Sequence, residues 1–464
     1  MKTLLIARRE YVECLRDGRL LWAGGLTVLL LLAALAVGWQ NRVAVESERT
    51  AAQQLDYQDW LAQAERHPHD AAHQGMHVFK PLPPLAIVDP GITPYVGSTL
   101  WLQAHRQSEV KFRPAQDATG LQRFGNLSMA WVLQILGPLL VIVLGFNAIA
   151  GEREQGTLRQ LMSLGVRPRQ LLAGKALSLA ASLGTLLLPL AVAAAGFVAA
   201  GTPPEARGDT WLRVLALLLT YALYFSTMIF LVLAVSGWAK TSRIALVTLL
   251  AIWIAGATLM PRAASDLARE WHPSPTRVEF NRNLDDDLSA EHARAWQSHF
   301  GVDKRWGADL PLNRWGEALQ VDDQAGYTVL DRHFGKLWNA FADQQRMQEW
   351  GGVLVPLLAV RALSMAVAGT DFAHHRDFSV AAEQQRRTMQ DLISHDLIHH
   401  ADPLGHQHFS YKAGPEFWAT VPPFTYAAPP LGFALRESWR AQLALIAACL
   451  LAGVLALVAM PRRA

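Results

Sequence analysis

Six stretches of this chain are apolar for long enough to cross a bilayer, and polar segments of very unequal length separate them. The uncharged runs cover 20–39, 127–150, 176–200, 214–238, 244–260 and 441–460, against the roughly 20 apolar residues that a hydrocarbon core requires. Buried helices of a soluble protein seldom run so long without charge. The pattern therefore predicts an all-α integral membrane protein with six transmembrane helices. Trp22, Trp39, Trp211, Trp238 and Trp439 stand at or near the ends of these runs, where an amphipathic ring favours the headgroup region. Pro138 and Pro189 fall inside the second and third runs, a position that membrane helices tolerate when neighbours satisfy the freed carbonyls.

The polar segments set the orientation. Lys2, Arg8, Arg9, Arg16 and Arg19 precede the first run, and five basic residues from Arg153 to Lys175 fill 151–175. Lys240 and Arg243 mark the link 239–243, and Arg462 and Arg463 close the tail 461–464. Basic residues are retained on the cytoplasmic side, and all four segments share one side if the six spans alternate. Both termini are thus expected in the cytoplasm, at the plasma (inner) membrane of a bacterium. The opposite side receives 40–126, the short loop 201–213 and the large segment 261–440, which makes two extracytoplasmic, mainly helical segments.

Within 1–19, Leu4, Leu5, Tyr11, Val12 and Leu15 recur at helical spacing opposite Arg9, Glu13 and Arg16, the mark of a helix lying on the inner membrane surface. The first span is too long, and preceded by too much charge, for a cleaved leader. Segment 40–126 predicts a helical stalk continuing from that span, then an irregular return broken by Pro81, Pro83, Pro84, Pro90, Gly91 and Pro94. In 261–440 the stretches 284–300 and 327–350 read as amphipathic helices, with Phe334, Leu337, Trp338 and Phe341 forming an apolar stripe. The stretch 351–368 is nearly long enough to span, yet Arg361 at its middle and Pro356 predict an interfacial or partly buried helix instead.

The segment 151–175 carries the most information. After an apolar run come Glu152, Arg153 and Glu154, then Gly156, Thr157 and Leu158, then Arg159 and Leu161, and finally Arg167 and Arg169 before Leu171, Leu172, Gly174 and Lys175. This arrangement resembles the cytoplasmic coupling segment of ABC-type exporter permeases of the ABC-2 class, in a branch with a large extracytoplasmic insert between the last two spans. The amphipathic N-terminal helix is similar to the elbow helix of the same class. The resemblance implies a permease subunit coupled to a separate ATPase subunit in two copies, which binds ATP and Mg, and a second permease chain, identical or related. It places ATPase coupling on Glu152, Arg153, Glu154, Gly156, Thr157, Leu158, Arg159, Leu161, Arg167 and Arg169. Uncharged span interiors favour export of a lipid-like or amphipathic cargo. The competing reading is a non-transporting scaffold or metal-related assembly factor whose outer domain binds a partner.

Composition narrows the classes further. Half the residues are hydrophobic and only 17% are charged, below the roughly 25% of soluble domains. The net charge of +3 gives no reason to expect nucleic-acid binding. There is no phosphate-binding G-x-x-x-x-G-K-[ST] loop, no H-E-x-x-H motif and no G-x-S-x-G elbow, so no ATPase site, catalytic residue or bound cofactor is expected in this chain. Cys14 falls in the segment assigned to the cytoplasm and Cys449 within the sixth span, so the two predict no disulfide. All 16 histidines lie in the segments assigned to the outside. His69, His73 and His77 are spaced four apart, as are His395 and His399, and His406 and His408 follow. Imidazoles on one helix face bind zinc or copper. Surface histidine is common, however, and no cysteine or carboxylate completes either set, so these residues are metal candidates and not an assigned site.

Overall fold

The computed structural model describes residues 2–107, 127–306, 310, 312–402 and 410–460. It is a helical protein in which the apolar runs form a bundle and the two long polar segments fold together at one end of it. Helix α1 (Lys2–Arg16) packs along α7 (Pro168–Ala200). Their approach is close, because a Cβ on Gly174 would lie 2.7 Å from Ile6 Cγ2. A wide turn at Leu20–Gly24 leads into α2 (Gly25–Leu61), which carries the first span on without a break, as the predicted stalk requires.

Among the described residues, seven helices are long and apolar enough to cross a membrane. Six match the runs read from sequence to within two residues at the shorter ends, and most overrun them elsewhere because the helical backbone continues into the polar segments. The second span comprises a wide turn at Val132–Leu136 and α4 (Gly137–Gly145). The fourth is α8 (Arg207–Trp238). The fifth is α9 (Ser242–Ile254), a wide turn at Ala255–Leu259 and α10 (Met260–Trp271). The wide turns immediately precede Pro138 and Pro261, where the missing proline donor would otherwise break the i→i−4 ladder. Pro189 lies within α7, which runs through it.

The seventh candidate, 356–399, is two helices: α13 (Pro356–Ala368) and α14 (Phe372–His399). They separate at Asp371, whose carboxylate accepts from the His374 backbone N–H at 3.1 Å. The thirteen residues of α13 rise only about 20 Å, short of a roughly 30 Å core. Nearly all of α13 is buried against α8 and the last helix, α16 (Trp439–Ala459), and Arg361 takes its exposed position. The stretch is thus more deeply packed than an interfacial helix. The buried Arg213 of α8 secures it, donating to Val367 O at 2.9 Å, Pro429 O at 2.6 Å and Asp209 Oδ2 at 2.6 Å.

At that end both polar segments form one domain, called the outer domain because it lies outside the bundle. Helix α3 (Pro68–Gln74) leads into an antiparallel pair of strands, β1 (Met76–Phe79) and β2 (Thr99–Leu102), in the register Met76↔Leu102 to Phe79↔Thr99. This hairpin interrupts what the prolines predict as an irregular return. Met76, Val78, Leu100 and Leu102 pack with Trp60, Phe378 and Trp418 in one core. The two predicted amphipathic helices are longer than expected, α11 (Arg277–Phe300) and α12 (Trp315–Gly351). Phe334 of the apolar stripe packs with Phe280, Leu284 and Leu288 of α11, and Leu337 and Trp338 lie against that cluster.

Candidate coupling site and histidine cluster

At the bundle end away from the outer domain, 151–175 forms two short helices, α5 (Ala150–Glu154) and α6 (Thr157–Ser163). Gly156 joins them with φ 75°, a left-handed conformation that glycine adopts without steric cost. Each end of the pair is tied to a different part of the bundle. Ser236 Oγ of α8 accepts from the backbone N–H groups of Ile149 and Ala150 at 3.0 and 3.1 Å. The Arg153 guanidinium donates to Gly237 O at 2.6 Å and to Ala239 O, satisfying carbonyls that the end of α8 leaves open. Ser242 Oγ at the start of α9 donates to Glu154 at 2.5 Å.

Glu152 turns inward. It accepts from Thr157 Oγ1, and Lys175 Nζ lies 3.2 Å from its carboxylate and 2.8 Å from Glu10 of α1. The Lys175 side chain is only 2% exposed. Lys2 Nζ donates to Leu164 O and Gly165 O at 3.1 and 3.2 Å, closing the far end of α6. Leu158, Val166 and Leu171 form a small core with Ile6, Leu161 and Met162. The candidates therefore divide. Glu152, Arg153, Thr157, Leu158 and Leu161 face the protein, whereas Glu154, Gly156, Arg159, Arg167 and Arg169 are exposed. Leu164, which sequence reasoning passed over, is 73% exposed at the tip between the arginines. Glu10 was missed because it is remote in sequence from the segment it supports.

A second group lies in the outer domain. The Nε2 atoms of His69 and His73 are 3.1 Å apart, and that of His105 is 3.4 Å from His69 Nε2. All three residues offer ligand atoms within 4.8 Å of one another. His69 and His73 lie one turn apart on α3, and His105 stands in the turn after β2 with φ 65°. Burial, with the neighbouring imidazoles of His105 and His73, pushes the His69 pKa down to about 3. His77 does not join this group. Gly75, with φ 61°, ends α3, so His77 belongs to β1 and pairs with Asp56 at 2.7 Å. The rings of His395 and His399 are 4.3 Å apart, but among the described residues they gather no third ligand. His406 and His408 lie outside the described residues.

An apolar cavity of about 320 Å³ opens among the membrane helices. Leu31 of α2, Leu187 and Ala191 of α7, and Leu218 and Phe225 of α8 line it, with Tyr221 and Ser226 among its few polar neighbours.

These features define a multi-pass helical membrane protein with a braced segment at one end of the bundle. The profile of the ABC-2 family transporter proteins matches residues 4–288, more than half of the chain, and the chain belongs to that family. It is the permease component of an ABC transporter. A domain of unknown function, DUF3526, matches residues 266–427, which span most of the insert before the last helix. No curated protein matches the chain.

Proposed function

We propose that this permease works with a separate ATPase subunit, in two copies, that binds ATP and Mg and docks on the exposed face of the segment 151–175. The observation that carries this reading is the solvent-exposed Leu164 amid Arg159, Arg167 and Arg169. An apolar tip ringed by cations is suited to a shallow pocket with an acidic rim. Movement of the tip would pass through Arg153 to α8, through Glu154 to α9, and through the Glu152–Lys175–Glu10 network to α7 and α1. On this reading the segment and both termini face the cytoplasm, and the membrane is the bacterial inner membrane. The chain itself contributes no ATPase site.

A lipid-like or amphipathic cargo, exported across the membrane, is the proposed substrate. Its support is the apolar cavity bounded by α2, α7 and α8, whose lining carries no charge. A second permease chain, identical or related, would complete the transporter. The experiment is to co-express the chain with its ATPase subunit and measure ATP turnover of the purified complex in nanodiscs. Leu164→Asp combined with Arg159→Glu should lower stimulation about tenfold or more, a loss of roughly 1.4 kcal/mol, without loss of the folded permease. Full stimulation by the double variant would remove the docking proposal.

A further inference from the structure

The three converging imidazoles in the outer domain carry an inference independent of transport. An ion with tetrahedral bonds of 2.0–2.1 Å to nitrogen requires ligand atoms about 3.3–3.4 Å from one another. The Nε2 separations of 3.1 Å for His69–His73 and 3.4 Å for His69–His105 are close to that edge. Three elements bring these atoms together. His67, at the start of α3, accepts the His69 backbone N–H through its ring at 3.3 Å. Trp315 packs edge-on against His69, with ring centroids 5.1 Å apart. The buried Asp323 of α12 places Oδ1 3.7 Å from His105 Nδ1, on the side of the ring opposite the converging Nε2 atoms. At 3.7 Å the carboxylate is beyond hydrogen-bond length; closing by less than about 1 Å on ion binding would let it accept the Nδ1–H, fixing the His105 tautomer and raising its basicity.

We propose that His69, His73 and His105 form a site for a divalent zinc-class ion, with Asp323 positioning His105 and the fourth coordination position open toward solvent beside the exposed His73. Three neutral imidazoles without a thiolate suit Zn²⁺ and, more tightly, Cu²⁺. The open position would accept water or a donor atom from a molecule arriving at the outer domain. All three ligands belong to the segment 40–126, so the bound ion would tie α3 to the turn after β2 and reach the insert only through Asp323 behind His105.

The competing explanation is that the imidazoles share protons through N–H···N hydrogen bonds and bind no ion. The test uses the full-length protein in detergent after removal of metals with a chelator. Zn²⁺ is titrated against a chromophoric competitor, and Co²⁺ is added separately to read coordination from its visible absorption. The expected result is one Zn²⁺ per chain with Kd below about 1 μM, intense tetrahedral Co²⁺ bands, and a rise in Tm on Zn²⁺ addition. His73→Ala, at an exposed helical position, should weaken binding at least about 100-fold, and Asp323→Asn by about 10–100-fold. The His395→Ala/His399→Ala pair should leave binding unchanged. Absence of stoichiometric binding, or binding that survives both His73→Ala and His105→Ala, would overturn the proposal.

Discussion

Replacing Lys175 by methionine removes the cation on which the base of the segment 151–175 is built. Lys175 Nζ stands 2.8 Å from Glu10 and 3.2 Å from Glu152, and its side chain is 2% exposed against 20% and 14% for the two glutamates. Lys175→Met keeps the chain length and apolar stem but leaves two neighbouring carboxylates without a counter-ion. Removing one partner of a buried ion pair costs about 3–5 kcal/mol. The carboxylates retain some contact with water, so the lower end, about 3 kcal/mol or roughly two decades in the unfolding constant, is the expectation. Glu152→Gln should cost less, about 1–2 kcal/mol, because Lys175 keeps Glu10. Reversible denaturant unfolding in mixed micelles, followed by far-UV circular dichroism, measures both. A Lys175→Met protein within about 0.5 kcal/mol of the parent would refute the network as a structural base, as would a Glu152→Gln loss equal to that of Lys175→Met.

Further outcomes follow from other sites. Arg153→Ala leaves the carbonyls of Gly237 and Ala239 without their charged donor, and the same unfolding assay should show a loss of about 2–4 kcal/mol. Gly156→Ala places a side chain at φ 75° in otherwise open space and should cost about 1–2 kcal/mol, whereas Gly156→Asn should cost less. Burial pushes the Lys80 pKa down from 10.5 to about 8, so the unfolded chain binds more protons between those values and stability rises with pH across that window. Lys80→Met should therefore be more stable than the parent below about pH 8, by up to roughly 3 kcal/mol. That advantage should shrink to nothing toward pH 10.5; an advantage unchanged across this range would exclude a buried charge as its cause.

The parts of this protein most legible in sequence were those fixed by local pattern. Uninterrupted apolar runs marked the spans, since no other environment accommodates so many uncharged residues in succession. The stalk followed from the lack of proline or glycine between residue 40 and His67, and α2 continues to Leu61. The segment 151–175 was conspicuous because Glu152, Glu154 and five basic residues stand together between two apolar runs. What was not legible depends on residues distant in the chain. Glu10 and Lys175 meet only because α1 lies along α7. The strands β1 and β2 are four residues each, too short for alternation to stand out. His69, His73 and His77 share a four-residue spacing, but Gly75 ends the helix before the third, and His105 takes its place from across the hairpin. Arg361 was a sound reason to doubt a span at 351–368. It did not reveal that the other face of α13 would be buried against α8 and α16.

Docking of an ATPase subunit at the tip of the segment 151–175 would place the two proteins within cross-linking distance in the membrane. A photoreactive residue placed at Leu164, at Arg159 or at the bundle-surface position Val192 of α7 would be activated in membranes containing the co-expressed ATPase subunit. A permease–ATPase adduct is expected from positions 164 and 159 and none from 192. Failure of both tip positions to capture the ATPase, while the two subunits still purify as an active complex, would contradict docking at the tip.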